Sequence, residues 1–546
     1  MAEEPVGATP LRGHRVGIWL AGALLGLIVG FPLWELFAGA LAEGWGSAAR
    51  ALRAPGGTEA VLNTLWTGVV VTVLAVAAGT TGAFVTERSA TPGRRWLRVG
   101  VVLPLVVPPF VTAMSWAQAY GPAGLLDDLT GLALPGLYGP AGVVVVTAVH
   151  SMPLAYLVVA GGLASRAEPD FERAARVSGA GPLTTFSTVT LPLLRPALAG
   201  ASALVFVTTI NSFDVPAVLG RPAGFATVTT RIYADLVLAA DPAAFTRVLV
   251  LASGLVLVTV TLVGVTDALV DVGGSARTAG PSGSPMRAAG RRWPWAVALW
   301  GYLALVAGLP LLALVATAVT RAVGLSPTPG NWTLDNFAEA VTGTGATALG
   351  RSLVLAVAAA TTVLGLGGLL AALGRRGPGR ALATTATLTF AVPGSALAVA
   401  VLLAYGPWLR DTLLLIFVAY LAKFLALGHR PIAGAADRLA SDLYRAARVS
   451  GAGGPTAVRT IVVPLLSPAL VGAWLLVFLL ALHELTMSSL LYGPGSETLA
   501  VVILNLQQLG DRPVTSALAV LLTLLVMAGS VPLLVARRAW AREGEK

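Results

Sequence analysis

Long apolar stretches, each close to twenty residues and separated by short polar segments rich in arginine, constrain this 546-residue chain more than any other feature. A hydrocarbon core roughly 30 Å thick takes about 20 residues of helix to cross. Inside lipid every backbone N–H and C=O must be satisfied within the protein, so such stretches have to be helices. A window of that length places about twelve spans near 16–38, 62–86, 98–118, 139–163, 196–218, 246–270, 294–318, 350–374, 382–404, 411–430, 468–492 and 514–536. Composition agrees, with 56% hydrophobic and 11% charged residues against the about 25% charged residues of soluble domains. The fold class expected is therefore an all-α polytopic membrane protein.

A net charge of +10 would point to nucleic acid in a soluble protein. Here the arginines lie between apolar runs, where basic residues set topology, and no nucleic-acid partner is expected. With the N-terminus in the cytoplasm, about 26 of the 36 basic residues fall on the inside, among them Arg94, Arg95, Arg291, Arg292, Arg375, Arg376, Arg537 and Arg538. Both termini then lie in the cytoplasm of a multi-pass bacterial plasma-membrane protein. The first span follows Arg12 and Arg15 and competes with a cleaved signal peptide, but its length and the internal Glu35 favour an uncleaved anchor. The chain has no cysteine, which excludes disulfides, thiolate metal sites and cysteine nucleophiles.

The segment 271–293, rich in Gly, Ser, Ala and Arg, reads as a cytoplasmic linker between two repeats, 1–270 and 294–546. Each repeat holds about six spans, so both keep the same orientation. Between the fourth and fifth spans of each, within 165–195 and 437–467, the chain writes nearly the same words. RAARVSGAG runs from Arg173 to Gly181 and again from Arg445 to Gly453, and identity covers 19 of 29 aligned positions. Asp170 to Val177 and Asp442 to Val449 are rich in helix formers and open on an acid, as a helix start favours. Gly179 and Gly451 follow where a left-handed residue ends a helix. Pro196 and Pro468 suit the first turn of the next span.

Two alanines, a glycine four positions after the second, and a Leu-Pro a dozen residues on resemble the EAA loop of permease subunits of binding-protein-dependent ABC importers. Two copies in one chain resemble the fused permeases of the iron(III), thiamine and related group, with Asn63-Thr64-Leu65 and Phe213-Asp214-Val215-Pro216 as weaker matches. The resemblance implies a coupling helix in each repeat that seats in a groove of an ATP-hydrolysing subunit. It assigns that contact to Arg173, Ala174, Ala175, Gly179 and Pro192, and to Arg445, Ala446, Ala447, Gly451 and Pro464. It further implies two copies of the ATP-binding subunit carrying ATP and Mg, an extracytoplasmic solute-binding protein, surrounding lipid, and no cofactor or metal site in this chain. The sequence departs from the family pattern at Arg173 and Arg445, where glutamate usually stands; Glu172 is adjacent in the first copy and Tyr444 matches it in the second. An ordinary duplicated positive-inside loop is the plainer alternative for the repeat.

Polar residues inside spans mark function by default. Asn211, Asp214, His483 and Glu484 lie toward the outer ends of the fifth and eleventh spans, where they either line a pathway or cap helix ends. His150, midway along the fourth span, and Lys423, near the inner end of the tenth, are expected to satisfy a neighbouring carbonyl or to snorkel. Prolines at 104, 108, 109 and 393 bend their spans, as simple packing features or as hinges.

The only lysines are Lys423 and Lys546, neither following a GxxxxG, so no P-loop is present and ATPase activity is not expected. A secondary transporter of two six-span halves would couple through paired intramembrane acids, which are sparse, and no catalytic constellation supports an enzyme. Iron(III) is the cargo expected from the resemblance, ahead of thiamine, phosphonate and other small solutes.

Overall fold

The computed structural model describes residues 10–42, 44–88, 91–165, 169–239, 241–272, 293–322, 324–325, 328–374, 377–439, 443, 446–447, 449 and 450–543. Most of the linker and Arg445 lie outside the described residues. The first repeat runs through α1 (Val16–Ala42), α2 (Gly57–Glu87), α3 (Arg94–Val106), α4 (Pro109–Tyr120), α5 (Pro140–Ser165), α6 (Pro169–Val177), α7 (Phe186–Ile210) and α8 (Pro242–Val272). The second runs through α9 (Trp293–Ala318), α10 (Thr344–Leu373), α11 (Pro378–Leu388), α12 (Gly394–Leu409), α13 (Leu413–Ala436), α14 (Val458–Leu482), α15 (Thr486–Leu491) and α16 (Arg512–Glu543).

Among the described residues, ten helices are long and apolar enough to cross a membrane, and two bent pairs bring the number to twelve if each pair counts as one span. The bent pairs are the third and ninth expected spans. Each is broken rather than continuous, by 101° between Arg94–Val106 and Pro109–Thr130 and by 113° between Pro378–Ala391 and Gly394–Leu409. The cause is local. Pro108 and Pro393 bring no N–H to the helix ladder and push the preceding residue out of the helical region, and Val107 and Val392 accordingly take ψ of 129° and 124°.

The fifth and eleventh spans start earlier than expected. α7 and α14 each open on a π-helical turn, Phe186–Thr190 and Val458–Val462. Pro192 and Pro464 sit at the start of the regular helix that follows, and Pro196 and Pro468 are therefore internal rather than first-turn residues. An internal proline strips one carbonyl of its donor. For Pro468 that carbonyl belongs to Pro464, and the Ser467 hydroxyl donates to it at 2.8 Å.

The chain forms two compact units, one of residues 1–48, 343–505 and 525–546, the other of 49–342 and 506–524. Each repeat thus places its first span in the unit built around the other repeat. In the first unit the Tyr405 hydroxyl of α12 donates to the Leu27 carbonyl of α1 at 2.5 Å. In the second unit the Tyr120 hydroxyl of α4 donates to the Leu305 carbonyl of α9 at 2.5 Å, and Trp116 Nε1 donates to Val306 at 3.1 Å. Leu27 and Leu305 both lie in π-helical turns, Gly26–Gly30 and Ala304–Gly308, whose altered ladder leaves carbonyls open to such donors.

Inside each unit the second and fourth spans of a repeat cross at glycine, as close helix packing in membranes requires. A Cβ on Gly79 of α2 would stand 2.7 Å from the Tyr156 backbone nitrogen of α5, and one on Gly367 of α10 would stand 2.7 Å from the Gly428 backbone of α13. A hydroxyl on the second span fixes the chain beyond the fifth in both repeats. Thr64 Oγ1 accepts from Val228 N at 2.8 Å, and Ser352 Oγ from Leu499 N at 2.8 Å.

Candidate functional site: the paired repeat loops

Helix α6 is short and opens on Pro169 with Asp170 and Glu172 in its first turn. Acids there complement the positive end of the helix. It ends by a backbone device that needs glycine. Ala180 N donates to Ala175 O and Gly179 N to Arg176 O, each at 3.0 Å, and Gly179 has φ of +87°. These are the two bonds of a Schellman motif, in which a left-handed residue lets the last carbonyls be satisfied. In the second loop Ala452 N donates to Ala447 O at 3.0 Å, and Gly451 has φ of +81°. No atom lies within 4 Å of a Cβ built on either glycine, so their restriction comes from the backbone conformation alone.

The outward faces of the two loops match. Phe171, Ala174 and Val177 are exposed at i, i+3 and i+6 on α6, and Leu443, Ala446 and Val449 repeat the spacing. Val177 and Val449 are each 89% exposed, the largest apolar exposures among the described residues of their loops. A single turn-spaced row of small and apolar side chains lies on one side of a helix, and it can seat in a groove of a partner. Phe171, Leu443, Val177 and Val449 did not stand out in the sequence because single apolar residues in a polar loop carry no periodic signal; their meaning comes from the shared exposure.

The inward faces differ. Glu172 is buried at 6% exposure and accepts from the Thr190 hydroxyl at 3.1 Å, while Arg88 Nε stands 3.5 Å from its carboxylate. Arg88 follows α2 and also donates to the Leu163 carbonyl near the end of α5. The acid therefore ties α6 to three spans of its own unit. Arg173 pairs with Asp170 at 2.9 Å on the surface. In the second loop Ala447 is buried at 7% exposure, whereas its counterpart Ala175 is half-buried. Pro192 is half-buried and Pro464 exposed.

The polar residues toward the outer ends separate into two kinds. Asn211 and His483 take equivalent places, each the residue that closes its helix, α7 and α14. Glu484 accepts from Met487 N at 2.8 Å and from Ser488 N at 3.0 Å, which caps α15. Asp214 lies beside the buried Phe213 in the turn after α7. Lys423 is midway along α13 rather than near its inner end, because that helix extends to Ala436, and it donates to the Val392 carbonyl at 2.6 Å. Outside the spans, burial raises the Glu497 pKa, but its own backbone N–H, that of Gly495 and the Arg351 guanidinium outweigh this and hold it below the ordinary value.

A family model described as "Binding-protein-dependent transport system inner membrane component" matches residues 72–272 and again 364–542. Each match contains one of the two loops. The probable ABC transporter permease protein y4fN of Sinorhizobium fredii is 26% identical over 505 residues, 88% of this chain and 87% of that protein. The molybdenum transport system permease protein ModB of Mycobacterium tuberculosis is 33% identical over 195 residues, 35% of this chain and 72% of its own length. The putative ferric transport system permease protein FbpB 1 of Haemophilus influenzae is 29% identical over 181 residues, 32% of this chain and 28% of its own. With the family's domain present twice over most of its length, the chain belongs to the inner membrane components of binding-protein-dependent transport systems and is a multi-pass permease subunit of an ABC importer.

Proposed function

We propose that this one chain supplies both permease halves of its importer and docks two ATP-binding subunits, one on α6 and one on the loop around Ala446 and Ala447. The observation that supports this is the pair of loops with the same left-handed glycine exit and the same outward row. Each row has the small side chains that permit close approach and two larger apolar ones that anchor, the pattern expected of a groove contact. ATP and Mg belong to those subunits, and the purified chain alone hydrolyses no ATP. Both termini are cytoplasmic, which puts both loops on the side where ATP is available.

The cargo proposed is iron(III), handed over by an extracytoplasmic binding protein. Its support is the likeness to fused ferric permeases, and the molybdenum relative supplies the competing cargo. Asn211, Asp214, His483 and Glu484 are proposed to face the outer part of the pathway, where Asn211 and His483 close equivalent helices. Proteoliposomes holding the chain, its ATPase subunits and its binding protein should accumulate iron(III) only with ATP inside. Uptake of molybdate or thiamine in place of iron reassigns the cargo, and uptake without ATPase subunits overturns the importer assembly.

A further inference from the structure

Each bent pair exposes a carbonyl that its own helix cannot satisfy. In the first repeat the Pro104 carbonyl would take its hydrogen bond from the residue four positions on, which is Pro108 and has no N–H. In the second repeat the Thr389 carbonyl, four positions before Pro393, is met instead by Val392 N at 3.2 Å, and the 113° bend interrupts the helix at the Phe390 and Val392 carbonyls that follow. An unsatisfied carbonyl at membrane depth is costly, and irregular backbone persists there only when the protein supplies a partner or the segment lines a cavity.

The partner comes from the fourth span in both repeats, and from the same place on it. His150 stands ten positions after Pro140, the first residue of α5, and its ring reaches the Pro104 backbone, while its Nδ1 is buried without a hydrogen-bond partner. Lys423 stands ten positions after Leu413, the first residue of α13; it donates to the Val392 carbonyl at 2.6 Å and to the Phe390 carbonyl at 3.5 Å, with its ammonium 5.8 Å from the Phe390 ring centre. The elbows themselves have one backbone form. Val107 and Pro108 take φ, ψ of −76°, 129° and −53°, 139°, while Val392 and Pro393 take −70°, 124° and −60°, 140°. Different side chains, each ten positions into the fourth span, thus reach the broken segment of their own repeat, His150 at the residue four before Pro108 and Lys423 at the residues one and three before Pro393.

We propose that His150 and Lys423 are positioning residues for transport, each clasping backbone of the broken segment in its own repeat and letting it go when the pathway opens. Elbows of two extended residues between rigid helices are suited to absorb a hinge motion. The second clasp has an added tether. Glu484 lies in the field of Lys423, and its carboxylate accepts from the Ser488 hydroxyl, which also bonds the Tyr420 hydroxyl of α13 at 2.8 Å. The second elbow is therefore wired to the turn after α14.

The inference rests on the importer reading, and its test separates the two. The chain has no cysteine, so Val107→Cys and Ala391→Cys, at positions 3% and 1% exposed, report each elbow alone. In the full chain without nucleotide, His150→Leu should raise thiol labelling at 107, and Lys423→Met at 391, by about tenfold as the elbow opens locally. In the reconstituted complex both should lower the solute moved per ATP hydrolysed. Lys423→Arg keeps donors for the carbonyls and should restore protection and stoichiometry. If Lys423→Met does not insert, His150→Leu and its rescue by His150→Gln decide the matter at the first elbow. Unchanged labelling, or parental stoichiometry in the clasp variants, overturns the proposal while leaving the importer assignment standing; loss of uptake by the unsubstituted complex refutes that assignment instead.

Discussion

The two repeated loops share their outward spacing and their backbone exits, while the buried acid that anchors the first has no counterpart in the sequence of the second. Phe171, Ala174 and Val177 match Leu443, Ala446 and Val449 in spacing and exposure, and Gly179 matches Gly451 in φ. On the inner side Glu172 is buried against Arg88 and Thr190, and the second loop has Tyr444 where the first has that acid. The outward spacing is kept in both loops, while the acid buried in the first is replaced in the sequence of the second. That is the pattern expected if a symmetric partner reads the outside while each repeat secures the inside in its own way.

The largest expected difference between the loops follows from the anchor. Glu172→Ala leaves Arg88 without its buried acid, and removing one partner of a buried pair costs about 3 kcal/mol. Tyr444→Ala removes no charge. The thermal midpoint of the purified chain should fall clearly for the first substitution and little for the second, and Arg88→Met with Glu172→Leu should recover most of the loss. Equal losses from Glu172→Ala and Tyr444→Ala would erase the contrast.

The backbone exits should respond alike. Gly179→Val and Gly451→Val each force a β-branched residue into left-handed φ, at a cost of about 1–3 kcal/mol. Membrane insertion should survive, and ATP-driven uptake should fall by about tenfold for either. Wild-type uptake by both variants would remove the docking role from the loops.

Next come the outward rows. Phe171→Ala with Val177→Ala should weaken ATPase-subunit binding by about 1–2 kcal/mol, somewhat more than Leu443→Ala with Val449→Ala, because a larger apolar surface is lost. Affinity in detergent measures both. A loss confined to one loop would show that only that loop docks.

The arginines at the family's glutamate position should matter less. Arg173 already pairs with Asp170 on an exposed surface, so Arg173→Glu together with Arg445→Glu should change assembly at low salt by less than about 1 kcal/mol. A larger effect, reversed by an acid-to-base change on the ATPase, would establish a direct pair.

The smallest effect lies in the loop at the far end of the spans from the repeat. Glu497 has a folded pKa below its ordinary value, so its contribution to stability is present above the unfolded value of about 4.3 and is lost as pH falls through the folded one. Hydrogen exchange at Gly493–Thr498 should therefore quicken on acidification, and Glu497→Gln should remove that pH dependence.

Span number and class were legible because hydropathy records what lipid demands, and the elbows were marked by Pro108 and Pro393. The helix-ending glycines were legible because few residues besides glycine accept φ near +80°. Exchange of the first spans was not. α1 and α9 are apolar around their whole circumference, so no stripe marks which neighbour they meet. The inward turn of Glu172 was hidden as well, since a mixed loop does not show which of its charges is buried. His150 and Lys423 were each visible as polar residues in spans, but their equivalence needed the helix starts, because the written repeat stops at the loops.

The exchange has a consequence for how such a chain can be divided. Cutting within 273–292 would yield two fragments, yet neither would hold the parts of one compact unit, since residues 1–48 group with 343–505 and the span 293–318 groups with 49–272. Each fragment would carry a helix whose packing site is on the other. Neither fragment alone is therefore expected to be stable, and a permease of this kind encoded as two genes is expected to survive only as a pair.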